Sequence, residues 1–197
     1  PPPPGFPAEE EGAELYVEVT KQGGLVLEAI NSRSAGTATL SQEEAAALAR
    51  DFLASRGYPS MRESYFIDQG GVITINFASV QGDVLCYPDL VKVSVALDTG
   101  RVVGFESEGY LMNHMIRDLP APAVTEAEAQ AVVSPALTVL SHQLTVIPTG
   151  GEYEVLCHEF KCQDEDGRHV IVYVNAQNGQ EEKILLLLEN ENGTLVL

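Results

Sequence analysis

Cys157, His158, Glu159, Cys162 and His169 form the densest gathering of side chains in this sequence that could do chemistry. Zinc accepts thiolate and imidazole, so a metal is the first idea to weigh. Alternation along a strand, however, sends Cys157 and Glu159 to one face and His158 to the other, and no Cys-x-x-Cys pair supports them. The run is read as strand, with no metal site. Asp164-Glu165-Asp166-Gly167 has the composition of a calcium loop, but EF-hand spacing would place the first ligand at Cys162, the wrong donor, and an acidic hairpin turn fits better. His114, His142, His158 and His169 are scattered and are not read as catalytic. HExxH, GxSxG, the P-loop and GxGxxG are absent. No catalytic, cofactor-binding or metal-ligating residue is assigned, and the chain is read as non-enzymatic.

A second group has a different character. Tyr87, Pro88 and Asp89, and some twenty residues later Tyr110, Met112, Asn113 and His114, combine apolar bodies with polar tips. Such mixtures suit contact surfaces. Packing between repeats is the plainer reading, and a partner-binding site is the functional one.

The elements that carry these residues follow from periodicity. Leu15, Val17 and Val19 alternate with polar neighbours, Gln22-Gly23-Gly24 turns the chain, and Leu25, Leu27 and Ala29 resume the alternation, which predicts a β-hairpin. Ser41-Gln42-Glu43-Glu44 is a capping box ahead of Ala45, Leu48, Ala49, Phe52 and Leu53, with Gly57 at the stop, so residues 42–56 form an amphipathic helix. Strands are predicted at 65–67, 72–78, 91–97 and 102–106, with turns at Gly70-Gly71 and Asp98-Thr99-Gly100. The same programme then repeats. Thr125-Glu126-Ala127-Glu128 is a second capping box, with Ala129, Val132 and Val133 on one face until Pro135 stops the helix near Ser134. Strands follow at 144–147, 153–160, 169–174 and 184–188, with turns at Gly150-Gly151, Asp166-Gly167, Asn178-Gly179 and Asn192-Gly193.

Ser41 and Thr125 are 84 residues apart, Gly100 and Gly179 are 79 apart, and Gly24 precedes Gly100 by 76. These spacings predict an α+β fold of tandem repeats, each one helix packed on an antiparallel sheet of three to four strands, preceded by a hairpin from a truncated repeat. The division is a flexible Pro/Glu-rich lead over residues 1–13, the hairpin over 14–38, repeats over 39–118 and 124–197, and a linker at 119–123. A single helix cannot bury such a sheet alone, so the hairpin is expected to pair with or pack on the next unit.

Composition bounds the function. The 197 residues are 45% hydrophobic, too apolar for a disordered chain, and 11 Lys and Arg stand against 29 Asp and Glu, a net charge of −18. That balance excludes nucleic acid and disfavours anionic membranes, since both require clustered bases. No apolar run approaches the roughly 20 residues that span a bilayer. The chain opens on Pro1-Pro2-Pro3-Pro4 without Met and reads as a piece of a longer protein, soluble by itself. Three cysteines make no disulfide framework; Cys157 and Cys162 could meet across a hairpin, while buried free thiols are the favoured reading.

The repeated capped helix containing Glu-Ala, followed by antiparallel strands and an Asp-x-x-Gly-like turn before a last strand, resembles the PepSY domain. Cys86-Tyr87-Pro88-Asp89-Leu90-Val91-Lys92-Val93, Val95-Ala96-Leu97-Asp98, Val103-Gly104-Phe105-Glu106, Gly109-Tyr110-Leu111-Met112-Asn113-His114, Val155-Leu156-Cys157-His158-Glu159-Phe160 and Val174-Asn175-Ala176 resemble the C-terminal region of the YpeB family of spore germination proteins, over roughly residues 15–197. His158 departs from the aromatic expected there. The resemblance implies a non-enzymatic protein without cofactors, located at the outer face of the inner spore membrane through an N-terminal anchor outside this sequence. It also implies a partner: a cortex-lytic hydrolase of the SleB type, stabilised, localised or restrained by protein–protein contacts. The alternative is a PepSY-type inhibitor or prodomain-like module acting on an extracytoplasmic protease, or an extracytoplasmic ligand-binding module.

Overall fold

Ser41 accepts the Glu44 amide and Glu44 returns the contact to Ser41, closing the box that starts α1 (Gln42–Ser55). The helix ends on a Schellman motif: Tyr58 N donates to Leu53 O, Gly57 N to Ala54 O, and Gly57 has φ +87°, which glycine tolerates without strain. Its buried face is built from small residues, Ala45, Ala46 and Ala49, with Leu53, so the helix axis approaches the sheet closely.

The computed structural model describes residues 13–150, 153–190 and 193–196. The flexible lead expected over residues 1–13, all but its last residue, and the turn residues Gly151 and Asn192 lie outside the described residues. The strands are β1 (Leu15–Val19), β2 (Val26–Asn31), β3 (Met61–Gln69), β4 (Val72–Gln81), β5 (Val84–Ala96), β6 (Val102–Glu106), β7 (Thr138–Pro148), β8 (Glu154–Gln163), β9 (His169–Asn175), β10 (Glu181–Asn190) and β11 (Gly193–Val196), with two short helices, α2 (Glu108–Asn113) and α3 (Glu126–Gln130). The fold is α+β and rich in antiparallel pairing. It divides into two compact units, one from residues 13–79 and 89–114, the other from 80–88 and 115–196.

In the first unit the strands run in the order β1-β2-β6-β5-β4-β3. The opening hairpin is thus joined edge to edge: Glu28 pairs with Glu106 and Ile30 with Gly104. Odd-numbered residues of β4 and β5 (Ile73, Ile75, Phe77, Val91, Val93 and Val95) pack under α1 with Ala29 and Phe105. β3 is longer than the 65–67 predicted, because a bulge between Glu63 and Phe66 breaks the period that marks a strand in sequence.

The second unit pairs β7-β8-β9-β10-β11 antiparallel, and Leu85 and Cys86 of β5 add a short parallel pairing to Thr145 and Val146. Here α3 is shorter than the helix predicted up to Ser134. After Gln130 the chain tightens, with Val132 N donating to Ala129 O and Val133 N to Gln130 O, and Pro135 disfavours the helical region for Ser134. Val133 still reaches the core of Phe160, Cys162, Val170, Val172 and Val174. β7 also begins earlier than Leu144, because a bulge between Val139 and Ser141 disturbs its alternation.

The repeat is visible in hydrogen bonds. Thr39 and Leu40 N both donate to Leu97 O, as Ala123 and Val124 N do to Ala176 O. Gly100 N returns to Ala96 O as Gly179 N does to Asn175 O. Each capping box is thereby laid against the turn that follows a β-strand. Among the described residues no helix is long and apolar enough to cross a membrane.

Candidate functional site

Ser79 near the end of β4 and Asp89 in β5 meet at one oxygen. Ser79 Oγ donates to Asp89 Oδ2 at 2.7 Å, and His114 Nδ1 lies 2.7 Å from that same oxygen. Asp89 is fully buried, whereas the His114 side chain is 40% exposed. A buried carboxylate facing Nδ1 makes that nitrogen the donor and fixes the orientation of the ring.

His114 is placed by α2. Buried Ser107, just before the helix, donates from N to Leu27 O at 2.8 Å and from Oγ to Val26 O at 2.7 Å, tying the helix start to β2. Asn113 Nδ2 donates to Gly109 O and His114 N to Tyr110 O, each at 2.8 Å. The rings of Tyr110 and His114 stack, Tyr58 meets Tyr110 edge-on at 4.8 Å, and the series continues through Phe105 to Phe52 on α1. Burial pushes the Tyr110 hydroxyl above its ordinary pKa, with Asp89 and Tyr58 adding to the rise. Met112, on the same short helix, is 73% exposed.

The order of groups is hydroxyl, carboxylate, imidazole. Activating a serine requires the imidazole between the other two, so that it can take the hydroxyl proton. Here that proton is committed to Asp89. The arrangement presents a rigidly held imidazole at the surface, next to an exposed thioether.

Tyr87 and Pro88, one strand step before Asp89, belong to the second unit. The Tyr87 ring stands perpendicular to Tyr173 at 6.5 Å. Between these phenols and Gln143 lies Glu159, whose Oε1 accepts from Gln143 Nε2 at 2.6 Å. Burial pushes the Glu159 carboxyl up, and the Gln143 hydrogen bond and the neighbouring Tyr87 and Tyr173 hydroxyls oppose that rise. Burial, with Glu182 and Glu159, pushes the Cys157 thiol up to about 12.

Cys157 and Cys162 share β8, on opposite faces and ~17 Å apart at the usual rise per residue, so the hairpin bridge considered from sequence cannot form. Both are buried free thiols, as is Cys86. His158, where an aromatic was expected, occupies a ring position after all: it stacks at 5.1 Å on His142, with Phe160 at 6.3 Å. A cleft of about 480 Å³ in this unit is lined by Met115, Leu119, Val146 and Leu156, with Arg117 and Glu154 at its side. Arg117 forks onto Glu154 through Nε at 2.6 Å and Nη2 at 2.8 Å.

The structure therefore brings Asp89, Tyr110 and His114 into contact, keeps Met112 and Asn113 on the helix that positions them, and assigns Tyr87 to a separate cluster around Glu159. Ser79, Tyr58 and Ser107 escaped the sequence reading. Each is an unremarkable residue type whose role depends on strand register.

A family model described as YpeB sporulation, PepSY1 and PepSY2 domains matches residues 6–120. The chain belongs to the YpeB family. It is 36% identical over 186 residues to the Sporulation protein YpeB of Halalkalibacterium halodurans and 33% identical over 176 residues to that of Bacillus subtilis. The alignments cover 92% and 87% of this chain but only 40% and 38% of those YpeB proteins, so the chain spans about two fifths of their length. Its fold is similar to the Bacillus megaterium YpeB C-terminal domain, with a TM-score of 0.81 and 27% identity, over 90% of this chain and 78% of that one.

Proposed function

We propose that this chain is the part of a YpeB-family spore germination protein that stabilises, localises or restrains a cortex-lytic hydrolase of the SleB type, through protein–protein contacts and without catalysis of its own. The observation that carries the reading is the Asp89–His114 pair beside Met112. It is built to hold an imidazole in one orientation at the surface, and its hydroxyl is bound in an order that does not make a nucleophile. Family membership supports the setting: the spore, outside the cytoplasm, with the chain held near the inner membrane by a segment upstream. Within the first unit Tyr110, Met112, Asn113 and His114 are the proposed partner-binding residues, with the buried Asp89 orienting His114; Tyr87 and Pro88, in the second unit, are left out of this surface. The matched hydrogen bonds of the two capping boxes support reading 39–118 and 124–197 as PepSY-like repeats. The net charge of −18 favours a basic partner, mainly by speeding encounter.

The test is binding of the purified chain to a SleB-type hydrolase at low and high salt, with His114→Ala and Met112→Ser compared against wild type. Salt-sensitive binding weakened by either substitution supports the reading. No binding at low salt between two folded proteins refutes it.

The 480 Å³ cleft favours a second reading, a ligand-binding extracytoplasmic module. A thermal-shift screen with short peptides, scored for loss of response in Leu156→Glu, distinguishes it.

A further inference from the structure

The cleft of about 480 Å³ lies wholly in the second unit, and its size is that of an ordinary ligand pocket. Val146 on β7 and Leu156 on β8 are register partners that supply one side of it, packed with Cys86 and Ala176. The chain from Met115 to Pro120 supplies the other.

Apolar walls that are free to move collapse together in water. This one is pinned at two places. Gln81 brackets Arg117: its Nε2 donates to Arg117 O at 2.7 Å and its Oε1 accepts from Arg117 N at 2.9 Å, while the buried Arg117 side chain forks onto Glu154. Further along, Gln177 Nε2 donates to Ala121 O at 3.1 Å, and Ala123 N and Val124 N donate to Ala176 O. The wall is therefore set before a ligand arrives, and binding does not carry the cost of ordering it.

Charge and shape select the ligand. Arg117 is committed to Glu154, so an anion finds no cation to meet it among the described residues that line the cleft. Asp118, on the same wall, is exposed and makes no ion pair among the described residues. A cation entering the cleft would neutralise it. Ile116, 90% exposed, and Met115, 59% exposed, carry the apolar surface beyond the cleft, which suits a length of chain better than a compact small molecule.

We propose that the cleft binds a stretch of another polypeptide in which an aliphatic side chain lies next to a Lys or Arg, the aliphatic group on Val146 and Leu156 and the cation at Asp118. This rests on the second reading above, in which the cleft takes a ligand, and gives that ligand its chemical class. Most of the affinity comes from the aliphatic group, which leaves water, and the exposed ion pair adds selectivity.

The experiment is an amide NMR titration of the isotope-labelled intact chain with three probes, acetyl-Leu-Lys-amide, acetyl-Leu-Gln-amide and acetyl-Gly-Lys-amide, each at up to about 10 mM. The first is expected to move the signals of Met115, Ile116, Leu119, Val146 and Leu156 to saturation. Exchange of Lys for Gln should weaken binding about threefold, and exchange of Leu for Gly about tenfold. Asp118→Asn, at an exposed position, should leave the Gln peptide unaffected and remove the advantage of the Lys peptide. Saturable movement of those signals without preference for Lys over Gln would overturn the cationic class while leaving the cleft a ligand site. A preference that survives Asp118→Asn would overturn the place given to the cation. No movement with any of the three peptides would overturn both the class and the reading of the cleft as a ligand site. The wild-type comparison of the Lys and Gln peptides decides the class even if the variant does not fold.

Discussion

Tyr110 lies nearly flat on His114, with ring centroids 4.1 Å apart and planes 13° from parallel, while the same imidazole holds the buried Asp89 through Nδ1. Stacking sets the plane of the ring and the carboxylate sets its rotation about Cβ, so few rotamers satisfy both. An imidazole so constrained loses little conformational entropy when a partner binds it.

Asp89→Asn tests that constraint. It places an amide where one oxygen now accepts from both Ser79 and His114, leaving a buried group mispaired at a cost of about 1–3 kcal/mol. Urea unfolding should show the loss, and the His114 ring signals should broaden or split as the orientation is released. His114→Ala should cost less stability, since its side chain is 40% exposed.

Asp98 governs the acid limb of the first unit. Arg33 forks onto its carboxylate and Gly36 N donates to it, and together they hold Asp98 well below the usual carboxylate range. Stability from this contact is fully present above the unfolded carboxyl pKa of about 3.9 and is lost as pH falls through the depressed folded value. Asp98→Asn should therefore be less stable than wild type at neutral pH, and the difference should shrink on acidification. Thermal melts across an acid series measure it.

Glu159 acts with the opposite sign. Its folded pKa is raised by burial, so stability is greatest while the group is protonated and declines as pH rises through the raised value. Glu159→Gln should match wild type at about pH 4 and exceed it at about pH 8. Melts of the two proteins that stay parallel across that range would refute the assignment.

Two turn glycines separate backbone strain from packing. Both have positive φ, but a Cβ on Gly82 meets nothing within 4 Å, whereas one on Gly100 would meet Leu48 Cδ1 at 2.8 Å and Leu40 Cδ1 at 3.3 Å. Gly82→Ala should cost about 1 kcal/mol, from conformation alone. Gly100→Ala should cost somewhat more, because the methyl ends of Leu48 and Leu40 must also turn aside. Equal midpoints in urea would contradict that reading.

The helices, their caps and the turn glycines were legible because each signal is local: Ser41 with Glu44, Thr125 with Glu128, and Gly57, Gly100 and Gly179 act within a few residues of themselves. The joining of the opening hairpin to the strands of the repeat that follows it, within the first unit, was also foreseeable, since two strands cannot bury their apolar face alone. The site was legible only in part. Asp89, Tyr110 and His114 attracted notice through their types, but Ser79 reaches Asp89 across a hairpin and Ser107 reaches Val26 over 81 residues, so both depend on register. Bulges hid the ends of β3 and β7, because an inserted residue shifts the alternation by which a strand is recognised. The extent of α3 was overestimated: Pro135 correctly marked an end, yet the tightened turn before it closed the helix earlier.

All three cysteines fall in the second unit, each deeply buried, and the first unit holds none. A thiol-reactive dye added to the native chain would thus label only molecules whose second unit has opened, at a rate set by that opening. The chain carries its own clock for one half of its fold, and the other half keeps no time on it.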